Sequence, residues 1–240
     1  KHQLWSWWGN SENTSFWMSA HILRALKMAQ DAGYPVELNL NGLKVEYAHT
    51  RPYRGMKLED IEILHALHEW KVEADYSSAV RLLEPFVRQL EQKEDSLANR
   101  NKYYRPLSYL KEKLLLWEIK QQVDSVNVGD SVRPYLKKDM LEGVYCDDGR
   151  RTYYWEGNQM INTLIAYRII KNDPSLCKLK ENMQLYILRT KERGWNTYQA
   201  SSAVATVLTD LLAGSGGMSG TSVSVSGKDH QRITEFPYHA

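Results

Sequence analysis

From about Thr14 to Ala213 apolar residues recur at the spacing of one face of an α-helix, with few interruptions. Leu107, Leu110, Leu114 and Trp117 form one such row. Met160, Leu164 and Tyr167 form a second, and Ile161, Ile165 and Ile169 lie in a row beside it. A stripe that wide predicts a helix buried on most sides. Val204, Val207, Leu208, Leu211 and Leu212 repeat the pattern near the end. Breakers separate the segments: Gly33-Tyr34-Pro35, Arg51-Pro52 with Gly55, Asp75-Tyr76-Ser77-Ser78, Asn99-Arg100-Asn101, Asn127-Val128-Gly129-Asp130 and Asn172-Asp173-Pro174. The result is about nine helices on short connections, which makes sequential neighbours antiparallel. A ring or stack of helix hairpins accommodates them better than one bundle, so the expected fold is an all-α α/α toroid over residues 1–213.

The pattern changes after Ala213. Gly214-Ser215-Gly216-Gly217 cannot hold a helix, and Ser222-Val223-Ser224-Val225-Ser226 alternates as a half-buried strand does. Residues 233–236 return as a second strand, so residues 214–240 are expected to be a linker and a short C-terminal hairpin over 221–236. Val223 and Val225 offer too little apolar area to hold such a hairpin alone.

There is also an internal echo. Asn13-Thr14 followed by Ser19-Ala20 matches Asn196-Thr197 followed by Ser202-Ala203, 183 residues further on. Both copies follow tryptophan, and a looser third runs Trp155, Asn158-Gln159 and Thr163. Asn or Thr would cap the helix start, and the small residues one turn in would let neighbouring helices approach closely.

Composition narrows the function classes. Apolar residues are 42% and charged residues 25% of the 240, which excludes intrinsic disorder. Area scaling then buries roughly three quarters of the chain's surface, enough for one large core. A net charge of +2 is too mild to argue for nucleic acid, and no apolar run approaches the ~18–20 residues of a membrane span. Two cysteines, Cys146 and Cys177, exclude a disulfide scaffold and a Cys-rich zinc module. The aromatic set of 8 Trp, 15 Tyr and only 3 Phe favours positions with one end buried and the other wet. The chain opens on Lys1, and we expect it to be part of a longer protein.

The candidate chemistry is sparse. His65 and His68, with Glu62 one turn before, make the most metal-like cluster, yet lack the His-Glu-x-x-His order of a zinc helix. Glu59, Glu62, Glu69 and Glu73 share a helical face, which reads as a solvated acidic face with rim histidines. Cys146-Asp147-Asp148-Gly149 places two acids in a turn, either as helix-capping turn residues or as half of an acid–base pair. Asp130, Asp139 and Glu156 are the nearby candidates for its partner. Trp5-Ser6-Trp7-Trp8 reads as a sugar platform or as tryptophans sealing a core. No phosphate loop, nucleophile elbow or cofactor motif is present in the letters.

Three segments together resemble the bacterial alpha-2-macroglobulin family. They are Trp5-Ser6-Trp7-Trp8 running into the helix that ends Ala32-Gly33-Tyr34-Pro35-Val36, then Gly143-Val144-Tyr145-Cys146, then Trp195-Asn196-Thr197 with Ser202-Ala203. The likeness lies in the thioester-domain toroid and covers about residues 5–213. Ser19 and Ser202 stand where the family tends to have Thr, and Cys146 where it often has Trp. The family's reactive Cys-x-x-Gln has no counterpart: Gly149 stands three residues after Cys146, and Lys180 three after Cys177. The resemblance implies a non-enzymatic, conformational domain of a protease-trapping protein of the periplasm or outer envelope. Its implied partners are proteases, met through the full-length protein, and neighbouring β-domains; no cofactor is implied. The competing expectation is a toroid glycosidase or polysaccharide lyase using Asp147 and Asp148. A prenyltransferase or terpene-cyclase relative is disfavoured, since no metal set or Asp-rich motif appears.

Overall fold

The computed structural model describes residues 4–7, 14–50, 55–152, 159–191, 194–195 and 197–214. Helices dominate: α1 Phe16–Asp31, α2 Leu40–Thr50, α3 Leu58–Glu69, α4 Tyr76–Arg100, α5 Leu110–Val123, a single turn α6 Gly129–Val132, α7 Gln159–Ile170, α8 Cys177–Thr190, α9 Thr197–Ala203 and α10 Thr209–Gly214. A π-helical turn, Val204–Leu208, joins the last two into one rod.

The helix boundaries follow local chemistry. Ser15 caps α1, its hydroxyl accepting the Met18 N–H at 3.2 Å, and Gly33 at φ 89° ends it. This corrects the expected cap, which was Asn13 or Thr14. Asp75 caps α4 through the Ser78 N–H at 3.0 Å. Asp60 reaches back to the Lys57 N–H at 2.7 Å, half of a capping box at the start of α3.

The odd-numbered helices pack side by side in chain order, α1 on α3, α3 on α5, α5 on α7 and α7 on α9. The central ones, α3, α5 and α7, are buried on nearly every face, and every residue of α7 from Met160 to Ile170 except Arg168 is buried; α1 buries one stripe. α4 covers α5 and α8 covers α7, each burying one stripe. This alternation of inner and outer helices is the layering of an α/α toroid, as the periodicity predicts.

One element departs from the helical expectation. β1 Leu136–Lys138 and β2 Val144–Cys146 form an antiparallel hairpin between α6 and α7, with Leu136 opposite Cys146 and Lys138 opposite Val144. Strands of three residues are too short for alternation to register in the sequence. The turn is instead built by Asp139, whose carboxylate accepts the Leu141 N–H at 2.9 Å and the Gly143 N–H at 2.7 Å. A Cβ on Gly143 would stand 2.7 Å from that carboxylate, so any side chain there would push Asp139 aside and loosen the turn. Leu107, the first member of its predicted row, lies outside α5 and bridges Arg151 instead. The expected C-terminal hairpin, residues 221–236, lies outside the described residues.

Candidate functional site

The echoed positions sit at equivalent places on inner helices. Ser19 and Ala20 are fully buried on α1, and Ser202 and Ala203 are buried on α9. The Ser19 hydroxyl accepts the Trp5 N–H at 2.8 Å and donates to the Ser15 carbonyl at 2.7 Å. Thr163, the third echo, does the same on α7: it accepts the Cys146 N–H at 2.9 Å and donates to the Gln159 carbonyl at 2.6 Å. A buried hydroxyl one turn into the helix thus pins the segment that precedes it. Trp5 packs against the core, whereas Trp7 is exposed and stacks on Trp17 with centroids 5.3 Å apart. Trp8, Asn13 and Asn196 lie outside the described residues; Thr197 is the first residue of α9.

Where the inner helices face one another, a buried ionic cluster occupies the axis. Glu62 of α3, only 3% exposed, lies 2.5 Å from both Arg24 of α1 and Lys111 of α5. Glu118 of α5 is gripped by Arg168 of α7 through two contacts of 2.7 Å, and His65 Nε2 stands 2.8 Å from Oε2, which also accepts from Arg168 Nη2. A carboxylate only accepts, so the contact fixes the ring proton on Nε2. Burial opposes ionisation of Glu62 and Glu118, but the paired cations outweigh it and hold both carboxyls well below the usual range. A cavity of about 150 Å³ adjoins the cluster, lined among others by Arg24, Lys111, Leu164, Arg168 and Thr206.

This overturns the solvated acidic face. Glu62 and His65 are buried, and the two histidines do not lie together on a rim. His68 meets the edge of Tyr76 at 4.8 Å, and burial, helped by the neighbouring His65, holds its imidazole below its ordinary pKa. Among the described residues no group of three His, Cys, Asp or Glu stands close enough to hold a metal ion.

The loop acids act as turn builders. Asp147 accepts the Gly149 N–H at 3.0 Å, Lys137 Nζ at 3.2 Å and Gln159 Nε2 at 3.1 Å. Asp148 accepts the Ser108 hydroxyl at 2.8 Å and the Arg150 N–H at 3.0 Å. Asp139 holds the hairpin turn, Asp130 pairs with Arg133 at the surface at 2.9 Å, and Glu156 lies outside the described residues. Asp147 nevertheless lines a cleft of about 490 Å³ together with Trp195 and Tyr186.

Both cysteines are free. Burial, followed by the charges of Asp147 and Asp148, pushes the Cys146 thiol up to about 12, and Cys177 is exposed at the start of α8. A thiol reagent should therefore label one cysteine quickly in the native protein and the second only on unfolding. Two fast thiols, or an added mass after methylamine treatment, would contradict this assignment.

No family model, curated protein or solved structure matches the chain.

Proposed function

We propose that the chain is a packed, non-catalytic toroid domain of a macroglobulin-like protease-trapping protein of the bacterial envelope. The observation that carries the reading is the paired ionic cluster on the axis. Glu62 and Glu118, the buried axial carboxylates described above, are each neutralised by partners from other inner helices. A carboxyl held that strongly ionised makes a poor general acid. The tied inner helices give a body that moves as a unit, suited to passing on a displacement when a bait segment elsewhere is cut. Neighbouring β-domains of the same protein are its expected contacts.

The test uses the full-length protein that contains this chain. Added protease should keep its activity on small substrates and lose it on large proteins, and the inhibitor should change electrophoretic mobility after cleavage. The competing reading, a glycosidase or lyase, draws support from Asp147 beside Trp195 in the cleft. Release of reducing ends or unsaturated sugars from a polysaccharide panel, lost in Asp147→Asn, would overturn the proposal in its favour.

A further inference from the structure

The cleft beside β2, α7, α8 and α9 has the size and lining of a small-molecule site, independent of the trapping reading. Its volume of about 490 Å³ falls within the ~300–1,000 Å³ of such sites. Asp147, Arg150, Gln159, Tyr186, Trp195 and Gln199 contribute to its walls. Three features define what fits there.

The first is charge. Asp147 is matched by Lys137 at 3.2 Å and Arg150 by Asp95 at 2.8 Å, so each charge on the walls is paired, while Arg150 Nη1 keeps an unused donor for a neutral oxygen. The second is a mixed set of donors and acceptors. The side-chain amides of Gln159 and Gln199 and the hydroxyl of Thr152 can each both give and take hydrogen bonds, whereas the Thr190 hydroxyl is already donated to the Ile187 carbonyl at 2.6 Å. The third is an aromatic wall. Trp195 lines the cleft, its indole N–H held by Thr190 Oγ1 at 2.9 Å. Tyr186 is stacked on Tyr145 with centroids 5.0 Å apart.

These groups also hold one another in place. Lys137, Asp147, Gln159 and Tyr186 form a hydrogen-bonded chain along one wall, with Tyr186 donating to Gln159 Oε1 at 3.4 Å. Side chains already fixed by such contacts lose little freedom on binding.

We propose that this cleft binds an uncharged saccharide of one or two rings, without cleaving it. A sugar ring presents C–H faces to Trp195 and hydroxyls, each both donor and acceptor, to the amides and to Asp147. An anion or a cation finds its counter-charge already taken, and an aliphatic ligand would strand the polar walls.

The test is saturation-transfer NMR on the intact chain with cellobiose, maltose and N,N′-diacetylchitobiose. At least one disaccharide should take up magnetisation and remain intact. Trp195→Ala should weaken its binding roughly tenfold, as expected for loss of an aromatic wall. Gln199→Ala, at a half-buried position, is the second variant, its fold checked by circular dichroism, and should weaken binding roughly threefold, as expected for one lost hydrogen bond. Trp7→Ala, on the exposed stack with Trp17, should bind as the parent does. The proposal is overturned if none of the three sugars shows transfer at millimolar concentration. It is equally overturned if both cleft variants bind unchanged, or if Trp7→Ala alone abolishes binding. Cleavage of the disaccharide would refute the statement that the sugar is held intact, and with it the non-catalytic reading.

Discussion

Glu62→Ala should be the most damaging single substitution on the toroid axis, costing about 3–5 kcal/mol of folding stability. The carboxylate is held at 2.5 Å by Arg24 and by Lys111, side chains that are 10% and 9% exposed. Removing it takes away the carboxylate that two buried cations share at the junction of α1, α3 and α5. For a chain of this length the loss corresponds to a fall in melting temperature of roughly 10 °C. Differential scanning calorimetry or urea unfolding reads it directly. The companion substitution separates charge from packing. Replacing Arg24, Glu62 and Lys111 together by methionine removes all three charges and roughly keeps the volume, and should recover most of the loss. If Glu62→Ala unfolds with a midpoint within a degree or two of the parent, the axial cluster is not a structural element.

Acid should unfold the protein through the same two carboxylates. Both Glu62 and Glu118 have native-state affinities for protons well below those of an unfolded glutamate, which titrates near ~4.3. For a depressed carboxyl, the unfolded chain binds the proton first, so stability is fully present above about pH 5. It falls progressively as the pH drops through the carboxylate range, and continues to fall until the native groups also protonate. Glu118→Gln and Glu62→Gln should each flatten that acid limb while lowering the neutral plateau. Urea midpoints between pH 3 and pH 7 measure both. An acid limb of unchanged steepness in both variants would place the acid sensitivity elsewhere.

Much of the fold was readable before the structure. The rows on α7 are buried as their spacing requires, Leu110 and Leu114 of the α5 row are buried while Leu107 and Trp117 are half-buried, and Gly33, Asp75 and Asn101 stand where helices start or stop. Ser19 and Ser202 were legible as small inner-face positions, although the hydroxyl bonds that make Ser19 structural were not. The ionic axis escaped because its partners are remote: Arg24 precedes Glu62 by 38 residues, and Glu118 lies 53 from His65 and 50 from Arg168. A helical wheel shows which face a glutamate occupies, not whether a cation on another helix waits opposite it. The cleft escaped for the same reason, since Asp147, Gln159, Tyr186 and Trp195 come from four separate stretches of chain. The tail and the first cap residues of the echo lie outside the described structure, so their reading rests on the letters alone.

The π turn in the last rod reconciles two demands that a uniform helix would set against each other. Before it, Ser202 faces the axial cavity. After it, Asp210 accepts the Tyr167 hydroxyl at 3.0 Å and Lys171 Nζ at 3.2 Å. Each residue advances an α-helix by about 100°, so one surplus residue would swing everything beyond it out of register. A single wide turn at Val204–Leu208 absorbs such a surplus. The rod can thus answer to the axis at one end and to α7 at the other, with its length and its facing set independently.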